Sequence, residues 1–151
     1  MQNYKKNLIF AYKPKVNLSI MRHILTKHPI SCFIFIIIWL LCFIDIPETP
    51  LSDVTLIDKW THIVMYLVLC CTFWIEEIIL KKKIHIRRML IWTGIIPILM
   101  GGLIEILQAY CTGGRRSGEW LDFVADCAGV FLAQFIGILL VKCLSTLRRD
   151  E

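Results

Sequence analysis

Asp58, His62 and Tyr66 stand at i, i+4 and i+8, so at 3.6 residues per turn they share one helix stripe. Glu105 and Gln108 repeat the pattern at i, i+3, and Asp122 and Asp126 at i, i+4. Between these two pairs runs Gly113-Gly114-Arg115-Arg116. An imidazole among carboxylates is equipment for general acid–base chemistry, with His62, Glu105 and Asp126 as the candidate catalytic groups. The forked guanidinium groups of Arg115 and Arg116 suit a phosphate, which they grip in bidentate fashion. Asp58 would orient His62, and Tyr66, Gln108, Asp122 and Asp126 complete a candidate ligand-binding set. The residue types at Asp58, His62, Glu105 and Asp122 would also suit a divalent ion. No dense motif of the HExxH kind accompanies them, so neither a metal nor another cofactor is expected. Nor does the chain carry a serine-centred nucleophile elbow, a Walker-type loop or a dinucleotide fingerprint.

The elements that must position these residues follow from composition. Of 151 residues, 57% are apolar and 19% charged, with a mean hydropathy of +0.66. A soluble domain is about 45–50% apolar and about 25% charged, so the chain reads as a small integral membrane protein. A disordered chain, a collagen-like repeat and a disulfide-stapled miniprotein are excluded. A bilayer core about 30 Å thick requires about 20 apolar residues per helix. Four runs approach that length: Ile30–Ile46, Thr61–Leu80, Met89–Tyr110 and Leu121–Leu144. They are continuous rather than alternating, which argues against a β-barrel. The expected fold is an all-α membrane protein with four transmembrane helices. A basic segment, 1–29, precedes the four-helix domain, 30–144, and a charged tail, 145–151, follows it.

The net charge of +5 is distributed as a topology signal. Fourteen of the 17 Lys and Arg lie before residue 30, in 81–88 or after 141, and only Lys59, Arg115 and Arg116 lie elsewhere. The positive-inside rule then places both termini in the cytoplasm, with the loops 47–60 and 111–120 outside. Basic residues in blocks between apolar runs are not a nucleic-acid footprint, so no nucleic-acid partner is expected. Ile46-Pro47-Glu48-Thr49-Pro50 offers no small-residue cleavage site, and an uncleaved first span is expected.

In this topology all the chemistry-bearing residues sit at the outer ends of their helices. They imply a polar funnel that opens outward and ends partway into the outer leaflet. Ionisable groups at mid-helix cost about 2.5–3.5 kcal/mol each, less near the interface. They persist when they face one another, water or a ligand. Asp58, Glu105, Asp122 and Asp126 nearly balance Lys59, Arg115, Arg116 and a protonated His62. A purely structural network that fixes helix register is therefore the simplest alternative. Against it stands the concentration on one side, since register can be fixed at any depth.

The remaining polar positions have plainer readings. Pro97 cannot donate to the carbonyl of Thr93, so a kink is expected there. Gly94, Gly101, Gly102, Gly129 and Gly137 allow close helix approach. Gln134 reads as an interhelical hydrogen bonder. Glu76 and Glu77, next to Lys81–Lys83, read as a solvated, salt-bridged helix end. His28 has no evident partner, and the seven cysteines read mostly as small buried hydrophobes.

From Asp58 to Gly137 the chain resembles the VanZ-like family of small bacterial membrane proteins. The resemblance rests on Asp58-Lys59-x-x-His62-x-x-x-Tyr66, on Glu105-x-x-Gln108, and on Arg116 followed by Asp122-x-x-x-Asp126-x-x-Gly129. The family's usual pattern has Asn where this chain has Asp126. The resemblance implies a multi-pass protein of the bacterial inner membrane associated with resistance to teicoplanin-type glycopeptides. One expectation is an envelope factor that binds a membrane lipid or lipid-linked wall precursor. The other is an intramembrane hydrolase or transferase acting on such a lipid. A homo-oligomer is compatible with either.

Overall fold

The protein, a computed structural model, is described over residues 25–44, 56–81, 84–115 and 118–147. Among these residues the regular elements are helices: α1 (Pro29–Phe43), α2 (Ile57–Leu80), α3 (Ile86–Cys111) and α4 (Trp120–Leu147). Three of them, α2, α3 and α4, are long and apolar enough to cross a membrane, which makes this a multi-pass membrane protein. Each starts earlier than its apolar run, because Asp58–Lys59, Arg87–Arg88 and Trp120 extend it into the interfacial zone. The apolar helix α1 has 15 residues, a length of about 22 Å. Asp45 and Ile46, the end of the expected first span, lie outside the described residues, as do 1–24, 82–83, 116–117 and 148–151.

Helices are the necessary form for these runs, since in hydrocarbon every backbone N–H and C=O must find a partner within the segment. Their outward faces carry large exposed side chains such as Phe33, Val68, Leu99, Phe131 and Phe135. The inward faces meet in a core of Ile38, Tyr66, Leu69, Cys70, Met100, Ile104, Val130 and Ala133.

The axis of the bundle is the α2–α4 pair. Two glycines set its closeness: a Cβ on Gly129 would strike the carbonyl of Ile63, and one on Gly137 would enter the ring of Trp74. Small residues at such crossings let backbones touch, the main attractive device between helices in lipid.

Pro97 has the consequence its chemistry demands, though not as a simple kink. One turn before it, Ile91–Ile95 forms a π-turn in which the Ile96 N–H donates to Ile91 O. The Thr93 carbonyl, denied a donor by Pro97, accepts the Nε2–H of Gln134 at 2.6 Å. Gln134 Oε1 in turn accepts Trp74 Nε1–H at 3.1 Å. The Thr93 hydroxyl stands 2.9 Å from both Gln134 Oε1 and Met89 O. One glutamine thereby ties α2, α3 and α4 at mid-depth.

At the opposite end from the polar stripe the structure corrects one expectation. Glu76 and Glu77 are buried rather than solvated, because α1 packs its N-terminus over them. Glu76 Oε1 accepts the Ile30 N–H at 2.9 Å and Oε2 accepts the Ser31 hydroxyl at 2.6 Å. A carboxylate from another helix thus caps α1, satisfying one of its free N–H groups and complementing its dipole. Glu77 pairs with Lys81 and, at 3.3 Å, with Arg88. His28, without a partner in the sequence reading, stacks on Phe73 with ring centroids 4.2 Å apart. Its nitrogens lie 3.5 Å from Glu76 and 3.6 Å from Glu77.

Candidate functional site

The first turns of α2 and α4 and the last turns of α3 lie side by side. They bring His62, Tyr66, Glu105, Gln108, Asp122 and Asp126 together, all six buried. The i, i+4 stripe of α2 faces the i, i+4 stripe of α4, which is why the two helices meet through their polar residues here and through glycine lower down. Asp58, one turn above His62, is exposed at the rim, as is Arg115. Arg116 lies outside the described residues.

His62 takes its direction from Asp126, not from Asp58. Its Nδ1 is 2.8 Å from Asp126 Oδ1, and its Nε2 is 4.0 Å from Asp122 Oδ2. Asp58 instead stands 3.3 Å from Lys59 Nζ. That ammonium also lies 2.6 Å from Asp122 Oδ1 and 2.6 Å from Glu119 Oε2, so Lys59 is the resident cation of the rim. Only half of Glu105 is engaged: Oε2 accepts the Glu119 N–H at 2.8 Å, and Oε1 has no hydrogen-bond partner. Asp126 Oδ2 and Tyr66 Oη likewise lack partners in hydrogen-bonding geometry. These two atoms face the same void of side chain on α3, for a Cβ on Gly101 would lie 2.6 Å from Asp126 Oδ2 and 3.2 Å from Tyr66 Oη.

Gln108 departs from its expected place. Its Nε2 donates to the Cys42 carbonyl at 2.7 Å, so the amide ties the end of α1 to α3. Buried unpaired carbonyls at a helix end are costly, and Gln108 removes one. These residues form a buried polar core beneath a charged rim.

Two contributors, Glu119 and Gly118, were not singled out by residue type, and a third, Gly101, was read only as a packing glycine. Glu119 joins rim and core, through its side chain to Lys59 and through its N–H to Glu105. Gly118 lets the chain pass the last turn of α3, where a Cβ would collide with the Glu105 carbonyl. Gly101 makes room for Asp126; its spacing of i−4 from Glu105 was the available signal. The connection itself turns on Gly113 and Gly114, both left-handed at φ 63° and 84°, a region open to glycine at no steric cost. The turn is closed by Arg115 N–H donating to Thr112 O at 3.3 Å.

Chemically, the core can hold a proton on an Asp–His pair, accept hydrogen bonds on free carboxylate oxygens, or take a cation. Donor atoms of His62, Glu105 and Asp126 lie within 4.8 Å of one another, as do those of Asp58, His62 and Asp122. Compared with protein-family models, with curated proteins and with solved structures, the chain has no match.

Proposed function

We propose that this is a VanZ-like envelope factor of the bacterial cytoplasmic membrane, which binds the head group of a lipid or lipid-linked wall precursor. In this reading α1 is a fourth span, both termini are cytoplasmic, and the site opens on the outer face, in keeping with the distribution of Lys and Arg. The observation that carries the proposal is Glu105 Oε1, buried without a partner, beside Asp126 Oδ2 and Tyr66 Oη, which neighbour each other. A network serving only to fix helix register has no reason to leave Glu105 Oε1 open, since an unpaired buried group costs about 1–3 kcal/mol. Head-group hydroxyls or an ammonium would donate to these oxygens, while Arg115 and the next residue in sequence, Arg116, grip the phosphate. Acting at the membrane surface, such a factor would alter teicoplanin susceptibility.

The 2.8 Å contact of His62 with Asp126 favours a second reading, an intramembrane hydrolase or transferase with that pair as base and Glu105 as acid. Native mass spectrometry of the purified protein, of Glu105→Gln and of Arg116→Ala separates binding from its absence. A selected phospholipid or wall-precursor lipid on the wild type, lost from the folded variants, is the expected result. The same unselected lipids on all three would overturn the proposal. Turnover of the retained lipid, abolished in Asp126→Asn with binding intact, would favour the enzyme.

A further inference from the structure

The inner part of the polar core gathers three buried carboxyl groups, and the nearest ammonium, Lys59, is shared with Asp58 and Glu119 at the rim. Asp122, Asp126 and Glu105 are 5%, 1% and 8% exposed, so bulk water cannot screen them. Lys59 attends Asp122 at the rim. A protonated His62 would attend Asp126, and one charge, that of Glu105, would remain. A dication beside a neutral His62 would supply two further positive charges to these carboxyl groups. Buried charges are tolerated when they are paired or bind a metal.

We propose that His62, Glu105 and Asp126 form a binding site for one divalent transition-metal ion of the Zn2+ kind. Three observations carry it. The donor atoms of the three residues lie within 4.8 Å of one another, and all three side chains are buried. Glu105 Oε1, on a side chain more than nine-tenths buried, has no hydrogen-bond partner, and Asp126 Oδ2 has only the Tyr66 hydroxyl beside it. His62 Nδ1 and Asp126 Oδ1, now hydrogen-bonded at 2.8 Å, need part by only about 0.6 Å to reach the edge of a tetrahedral site, about 3.4 Å for bonds of about 2.1 Å.

The ion replaces a hydrogen: on binding, the proton between Nδ1 and Asp126 leaves to solvent, as metal binding to imidazole requires. His62 Nε2 then carries its N–H toward Asp122 Oδ2, now 4.0 Å away. That is the carboxylate–imidazole–metal order by which metal-binding histidines are commonly fixed. An imidazole with two carboxylates and a neighbouring phenol is a nitrogen–oxygen donor set, which suits Zn2+ or Mn2+. The second cluster, Asp58, His62 and Asp122, is a poorer site because the Lys59 ammonium already lies among its carboxylates.

The test loads the full chain, purified in detergent and stripped with chelator, with Zn2+ and separately with Co2+. The expected result is about one ion per chain by elemental analysis and a raised thermal midpoint. The Co2+ form should have the weak visible bands of nitrogen–oxygen ligation without thiolate charge transfer. Glu105→Gln, which keeps shape and the Glu119 contact, should lose the ion and the thermal shift while retaining its helical content. Asp126→Asn should do the same. No retained ion at micromolar metal, equal retention by Glu105→Gln, or thiolate bands from the cysteines would each overturn the proposal. So would loss of the ion in Asp58→Asn alone, which would place it in the outer cluster.

Discussion

Gly129 is where backbone packing and the polar core meet, and replacing it with alanine tests both. The new Cβ would lie 3.1 Å from Ile63 C and from Leu67 N, and closer still to Ile63 O. All three are backbone atoms that no rotamer change can move. Carbon contacts settle at about 3.5–4.0 Å, so α4 must retreat from α2 by roughly 1 Å. Asp126 lies one turn from Gly129 and His62 adjoins Ile63, so the retreat falls on their 2.8 Å contact and opens it to about 3.8 Å, beyond hydrogen bonding. Overpacking costs about 1–3 kcal/mol, and the lost buried bond adds about 1 kcal/mol. Alanine's better helix propensity returns about 1 kcal/mol. Gly102→Ala is the matched control, because its Cβ would meet only the Phe123 ring edge at an ordinary 3.4 Å. The same chemical change should therefore destabilise at 129 and be neutral or stabilising at 102. The propensity gain is common to both, so the difference is about 2–4 kcal/mol, or several degrees in thermal midpoint at about 2–4 °C per kcal/mol. Thermal unfolding in detergent, followed by tryptophan fluorescence, measures it. A Gly129→Ala protein as stable as Gly102→Ala would refute the close α2–α4 crossing and the geometry of the site built on it.

Two further outcomes are expected. Gln134→Leu should lower the thermal midpoint by about 1–3 kcal/mol equivalent, and Trp74→Phe in that background should cost less than it does alone; strictly additive losses would sink the bond between them. Burial, outweighing the pull of Glu77 and Glu76, holds the His28 imidazole below its ordinary value of 6.5. The folded state thus favours the neutral ring, and its contribution is complete above about pH 6.5 and declines as pH falls from there toward the depressed value. Unfolding midpoints between pH 7.5 and 5 should fall more steeply for wild type than for His28→Gln, and parallel curves would exclude it.

The polar stripes were legible in the sequence because helical spacing determines which residues of one helix share a face. Asp122 and Asp126 had to lie together, and so did His62 and Tyr66. Pro97 likewise announced an unfilled carbonyl at Thr93, and Gln134 a bond across helices. What spacing cannot supply is the rotation of one helix against another. For that reason Asp58 looked like the partner of His62, when the crossing at Gly129 turns α2 so that Asp126 meets it. The same limit hid the burial of Glu76 and Glu77: their neighbours in sequence are lysines, and only the docking of α1 removes them from water. Gln108 was misplaced for a related reason, since the carbonyl it serves, that of Cys42, belongs to a helix 66 positions away.

The anchors of α4 also dictate how the molecule can move. Along one unbroken rod of 28 residues, Asp126 is keyed to His62, Gly129 to the Ile63 carbonyl, Gln134 to Thr93 and Gly137 to Trp74. Sliding that rod by a single residue, about 1.5 Å, would undo all four keys at once. A guest arriving at the polar core therefore cannot be accommodated by a piston stroke of α4. Fewer polar ties hold α1, which Glu76 and Gln108 fix at its two ends, and the glycine turn at Gly113–Gly114. Uptake would be a sideways swing of α1 or a lifting of that turn, against a fixed spine.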